Sequence, residues 1–220
     1  ISAETIAYRA RAKWGFVRLP SGTMKSAITR ERRHGVPVYH LQQRIAVAGR
    51  YQDEDAYIDA VGLFPCEYSV AMRRPTGGRW RHVVLWDHVG RRIHLSKTKI
   101  NGETRHESWE MGEDEPFDSR DALSAMLIYR LSHTSATPVD NWSANVLMSC
   151  DERYRVNVDG TSASTAKADI VSWQWIARDC DEANRTVKSW FGPVPDAIPV
   201  KYTTRAWGIK GSATLTSYTT

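Results

Sequence analysis

Most of this chain alternates and one segment does not, and that contrast limits the fold more than anything else in the sequence. Residues 6–18 place apolar side chains at every second position through Ile6, Tyr8 and Ala10, the period of a strand whose two faces meet different surroundings. Pro20-Ser21-Gly22 then predicts a turn into a partner run at 23–30. The same reading gives a strand at 36–49 after His34-Gly35, two more within 55–72 around a turn at 62–65, and a break at PTGG, 75–78. A hairpin at 79–97 follows, with Val89-Gly90 at its tip. Further strand candidates lie at 143–149, 152–158, 168–178, 186–191, 198–207 and 211–218. No unit of fixed length recurs, which argues against a solenoid or a propeller.

The exception is DALSAMLIYRL at 121–131. At about 100° per residue, Leu123, Leu127 and Leu131 form one row, Met126 and Tyr129 a second side and Ile128 a third, leaving Ser124 and Arg130 as the polar positions. Such a helix has no face wide enough for water, so it has to be enclosed. Asp118 is its expected N-cap, and Glu113, Asp114 and Glu115 precede the positive end of its dipole. The expected fold is therefore mainly β: a strongly curved antiparallel sheet or open barrel wrapped around one buried α-helix at 120–131 that buries Leu123, Met126, Leu127 and Leu131. The Arg130 stem must lie against apolar surface, with its guanidinium meeting a carboxylate or carbonyl oxygens.

Length and composition agree with one core. A chain of 220 residues, 41% of them hydrophobic, forms a single β-rich domain over 1–220 without a second one being forced. No apolar run approaches the roughly 18 residues of a membrane-spanning helix, and the opening Ile-Ser-Ala-Glu suggests a mature or trimmed N-terminus of a soluble protein. The net charge of +5 is uneven: residues 1–110 hold 19 Lys and Arg against 11 Asp and Glu, and residues 111–220 hold 11 against 14. A basic first half can attract a polyanion, but no nucleic-acid recognition motif accompanies it, and ordinary solvated surface is the plainer reading.

Candidate chemistry is sparse. Cys66, Cys150 and Cys180 show no CxxC spacing, so no zinc site is expected. Under oxidising conditions Cys150 and Cys180 are the expected pair, since both belong to the second half. Acids flank Cys180 in RDCDE and would raise its thiol pKa, a poor setting for a nucleophile. His82 and His88 are six residues apart, roughly 20 Å along a strand, and cannot share a metal ion. Even-numbered positions along 80–88 share a face, which gathers Trp80, His82, Trp86 and His88. That face is either core filling, the favoured reading, or a platform for stacking on sugars or bases. No nucleophile elbow, P-loop, dinucleotide fingerprint, H-E-x-x-H or calcium loop occurs.

The order of landmarks resembles a known family. YRARAKWGFVRLPSGTMKSAI at 8–28, YIDAVGLFPCEY at 57–68, LWDHVGRRIHL at 85–95, DALSAMLIYR at 121–130 and WFGPVPDAIPVKYTTRAWGIKGSATLTSY at 190–218 are similar to the pattern of the exported bacterial proteins called domain of unknown function 3108. The resemblance spans nearly the whole chain and implies export to the periplasm or cell envelope, a mostly β domain curved around a helix, and no established biochemical activity. The expected function is then that of a non-catalytic envelope protein binding an apolar ligand or a protein partner in the sheet's concavity, with Trp80, His82, Trp86, His88 and Arg130 as binding residues. No cofactor or metal is expected, and nucleic acid is not the favoured partner. Two alternatives stay open: a binder of nucleic acid or acidic glycan through the basic first half, and an enzyme of unrecognised type.

Overall fold

The computed structural model describes residues 3–74, 77–111, 117–118, 143–148, 152–165, 168–177, 183–191, 198–206 and 209–220. In chain order the strands are β1 (Ala3–Trp14), β2 (Val17–Arg18), β3 (Gly22–Arg33), β4 (Val36–Val47), β5 (Arg50–Asp59), β6 (Pro65–Arg73), β7 (Arg79–Asp87) and β8 (Arg92–Lys99). They continue as β9 (Thr104–Glu110), β10 (Phe117–Asp118), β11 (Ser143–Met148), β12 (Glu152–Thr165), β13 (Ala168–Ala177), β14 (Ala183–Phe191), β15 (Pro199–Ala206) and β16 (Ile209–Thr219). All sixteen join one sheet, ordered β10-β11-β12-β13-β14-β15-β16-β1-β3-β4-β5-β6-β7-β8-β9, with β2 folded back on β1. Neighbours are antiparallel except β10 and β11. The first and last long strands, β1 and β16, meet in mid-sheet, with Thr5 opposite Thr219.

This sheet cannot be flat. Its two edges, β9 and β10, are consecutive in the chain, and the seven peptide steps from Glu110 to Phe117 reach at most about 25 Å. Laid flat at roughly 4.8 Å per strand, the fifteen-strand path would hold those edges about 67 Å apart. Side chains record the same bend. The Tyr202 hydroxyl on β15 lies 3.4 Å from the Met24 sulfur on β3, three strands away. Tyr8 and Tyr202 bring ring centroids to 5.0 Å across the intervening β16, above the small Ala213. Among the described residues no ladder joins β9 to β10, so the curved sheet is not closed.

One face of the sheet carries the core. Ile6, Tyr8 and Ala10 on β1 and Met24, Ser26 and Ile28 on β3 alternate with exposed residues, as a strand with one buried face requires. Register stacks the buried positions into rows: Ile28, Leu41, Ala56, Tyr68, Val84 and Leu95 stand opposite one another from β3 to β8. Two two-residue turns, His34-Gly35 and Ala48-Gly49, have φ above zero at both positions, the twist that suits a tight hairpin. At Gly22 a Cβ would stand 1.9 Å from the Ala46 carbonyl oxygen, so only glycine lets β3 start this close to the end of β4.

Several sequence expectations shift. The run at 6–18 is not one strand: β1 ends at Trp14, Gly15 takes φ +55, and Val17 and Arg18 return to pair with Trp14 and Lys13. A glycine at the reversal outweighs the apolar run through it. β9, with the sequence TRHESWE, has no counterpart among the sequence-read strands; six of its seven residues are exposed, so it carries no alternation to read. The helix expected at 120–131, Arg130, Cys150 and Cys180 lie outside the described residues. Among those described, no helix is long and apolar enough to cross a membrane.

Candidate functional site

The inner face of the sheet holds the sequence-singled residues, and the strand period explains which. Along β7, His82 and Trp86 are buried inside and Trp80 is partly buried against the same core. The Trp80 and His82 rings lie 4.3 Å apart at 37°. His88 does not join them. β7 stops at Asp87, whose Oδ1 accepts the Gly90 amide at 2.8 Å and starts the turn. His88 is exposed, donates from Nε2 to the Pro65 carbonyl at 2.6 Å and packs on Phe64 at 4.4 Å. The expected four-residue face is therefore three residues, with His88 at the end of the sheet where β5 meets β6.

Sequence reading passed over a row of polar groups on this inner face. Register places Ser26, Gln43, Glu54, Val70, His82 and Lys97 opposite one another from β3 to β8. Ser26, Gln43, Glu54 and His82 are all buried. Gln43 donates to Ser26 Oγ and to the Met24 sulfur, each at 3.3 Å, while Gln52 hydrogen-bonds Glu54 and Lys97 pairs with Glu107 at 3.0 Å. The signal for it existed: Glu54 shares its strand face with Ala56 and Ile58 by simple alternation. Burying polar groups is costly unless they are bonded, and this row is a polar stripe across an otherwise apolar inner face. Glu54 and His82 stand on strands two apart with Val70 between them, about 10 Å backbone to backbone, which is no acid–base dyad.

Behind Trp80, on the outer face, lies a cavity whose lining follows the register row Arg44, Asp53, Ala71, Arg81 and Thr98. A space of about 600 Å³ opens where β5 and β7 begin and β6 and β8 end, lined by Tyr51, Met72 and Trp80 together with Arg73, Arg79 and Lys99. Arg73 and Arg79 stand directly opposite each other, a like-charge pairing that costs stability in a sheet. In the same wall Arg44 is bridged to Asp53 at 2.6 Å, and that hydrogen bond and charge hold its guanidinium pKa above the ordinary value. Aromatic and thioether surface beside the opposed guanidinium groups of Arg73 and Arg79 suits a ligand with an apolar body and an anionic head.

On the outer face a second cluster braces the strands. His40 lies 3.1 Å from Asp55 and 3.7 Å from Glu31, and its ring stacks on Tyr57 at 4.3 Å. The Arg33 guanidinium sits 3.8 Å over the Tyr57 ring and bridges Glu67. Burial pushes the Tyr57 hydroxyl above its ordinary pKa, against the pull of Arg33. The His40 contacts join β4 to its neighbours β3 and β5, while Arg33 reaches from β3 across to Tyr57 on β5 and Glu67 on β6, a cross-strand cluster that stabilises the sheet. Sequence gave no signal for it, because outward polar residues look alike until register pairs them.

Cys66 is a free thiol, half buried, with its pKa raised by burial and by the Asp59 carboxylate. Among the described residues no group of three or more His, Cys, Asp or Glu side chains converges in a way that could hold a metal ion. No family model matches this chain, and no curated protein matches it. Among solved structures it is similar to a beta-barrel-like protein of domain of unknown function DUF1849 from Brucella abortus, at 8% identity, covering 99% of this chain and 97% of that one with a TM-score of 0.61. At that identity the likeness speaks for the fold alone: a mainly β, antiparallel, barrel-like sheet.

Proposed function

We propose that this protein is a non-catalytic, exported envelope protein that holds an amphipathic ligand, an acyl chain with an anionic head, in the concavity of its sheet. The observation that carries the reading is the inner face, apolar in the row from Ile28 to Leu95 and crossed by one polar row from Ser26 to His82. At the rim of the sheet, where β6 ends and β7 begins, Arg73 and Arg79 stand opposite each other and offer cations to the anionic head. Pockets of this kind bind through apolar walls and gain orientation from a few polar groups. In this reading the segment at 120–131 is a helix enclosed by the sheet, filling part of the concavity and leaving the remainder to the ligand. The likeness to the family called domain of unknown function 3108, and the periplasmic or envelope location that goes with it, belong to the same proposal.

Titrating the folded protein with an environment-sensitive apolar dye, then competing with a long-chain fatty acid, tests this reading. Saturable, salt-insensitive dye binding that the fatty acid displaces supports it. Replacing Arg73 and Arg79 by Ala should weaken the fatty acid roughly tenfold, the value of one good ionic contact, and leave the dye unchanged. Absence of dye binding to the folded protein would make the helix a complete plug and the protein a structural or interaction domain.

A further inference from the structure

We infer that the turn at 14–17 and the cationic cleft beside it dock this protein onto a lipid bilayer carrying anionic headgroups. Trp14, Phe16 and Val17 stand 67%, 105% and 62% exposed at the tip of the β1–β2 reversal. Three large apolar side chains together on one protruding turn gain nothing from water and would gain by entering an interface. Directly behind them the charges gather. Lys13 stands opposite Arg18 on one side and opposite Lys210 on the other, so three cations sit side by side across β2, β1 and β16. The next row runs Arg11, Ser212, Thr203 and Lys188, two hydroxyls flanked by two more cations.

These side chains line an open cleft of about 760 Å³, and none of its described lining residues is a carboxylate. Like charges opposed across neighbouring strands repel, and a surface of phosphate groups would relieve that repulsion while the hydroxyls donate to phosphate oxygens. Trp is the residue that best tolerates the boundary between headgroups and acyl chains. Antiparallel register puts the end of β1, the start of β5 and the end of β8 at one end of the sheet. Tyr51 and Ile100, 53% and 65% exposed, therefore lie at the same end as Trp14 and Phe16. Among the residues whose side chains are described, Asp53 at this end is engaged by Arg44, and Glu103 by Lys99 and Arg105. Aliphatic Val17 and Ile100 can partition into acyl chains but cannot stack on bases, which favours a bilayer over a single-stranded nucleic acid. Docked in this way, the protein turns the end of the sheet that carries Trp14, Tyr51 and Ile100 toward the membrane.

Flotation of the full chain with vesicles tests the inference, using phosphatidylcholine alone and phosphatidylcholine mixed with phosphatidylglycerol. The expected result is binding to the mixed vesicles, little to the neutral ones, and release by added salt. Trp14→Ser with Phe16→Ser should lower the affinity by at least about tenfold. Lys13→Ala with Lys210→Ala should lower it roughly 25-fold, at about 1 kcal/mol per cation near an anionic surface. Far-UV circular dichroism checks that both double variants fold, and Phe16→Trp should retain binding whatever happens to them. Failure of the wild type to float with mixed vesicles overturns the inference, as does equal binding to neutral ones. It is also overturned if the serine variant binds like the wild type while inorganic phosphate or a single-stranded oligonucleotide competes, because the cleft would then be a site for a soluble anion or a nucleic acid.

Discussion

Cys66 shows how a single position acquires a pH dependence from its surroundings. Its thiol is pushed above the ordinary value of 9.0 by burial first and by the neighbouring Asp59 carboxylate second. A folded pKa above the unfolded one means that the stability it contributes is fully present below pH 9.0 and is lost as pH rises through the folded value. The thermal midpoint of the wild type should therefore fall more steeply above that pH than that of Cys66→Ser, and parallel slopes would refute the assignment. The same residue should alkylate slowly at neutral pH, since the thiolate is the nucleophile. Asp59 itself is committed to its turn, where Oδ1 accepts the amides of Val61 and Gly62. Asp87 does the same for Gly90, and that capture is why His88 leaves the face that Trp80, His82 and Trp86 share. Alternation made those three readable together from sequence. The end of the strand was not readable, because it depends on one carboxylate reaching a backbone amide three residues on.

Among the elements, those with one face against the core were legible and those without were not. β3, β4 and β7 announce themselves through alternating apolar residues, and the turn between β3 and β4 through His34-Gly35, whereas Ala48-Gly49, read as the end of a strand at 36–49, is the turn into β5. β9 is written in exposed polar residues, and only its pairing with β8 makes it a strand. The β1–β2 reversal failed the other way, since Trp14, Phe16 and Val17 read as continued strand although all three are exposed. The buried polar row escaped notice because its members look unremarkable singly and become a feature only when register aligns them. Close approach between elements has its own signature at Gly22. Gly22→Ala would drive a methyl group into the Ala46 carbonyl and the Val47 side chain, forcing β3 and β4 apart at a cost on the order of 1–3 kcal/mol. A denaturant midpoint unchanged from wild type would show that the strand ends separate freely.

For the molecule as a whole, order along the sheet nearly repeats order along the chain. From β1 to β9 and from β10 to β16 neighbouring strands follow in sequence, apart from β2 folded back beside β1. The exception is the pairing of β1 with β16, which brings Thr5 beside Thr219 and leaves β9 and β10 at the two edges. In folding terms each half is a run of local strand pairings, and one seam between residues 195 to 214 apart must then close. Closing so long a loop is an entropic step that slows a β-protein before any contact at the seam rewards it. A circular permutant that joins the termini by a short linker and opens the chain between β9 and β10 would make every remaining neighbour sequential. It should keep the same sheet by circular dichroism and refold measurably faster, whereas an unchanged rate would place the slow step within one of the halves. The place of the seam between β1 and β16 thus sets how long the chain must wait to become one sheet, even though it does not alter the sheet that results.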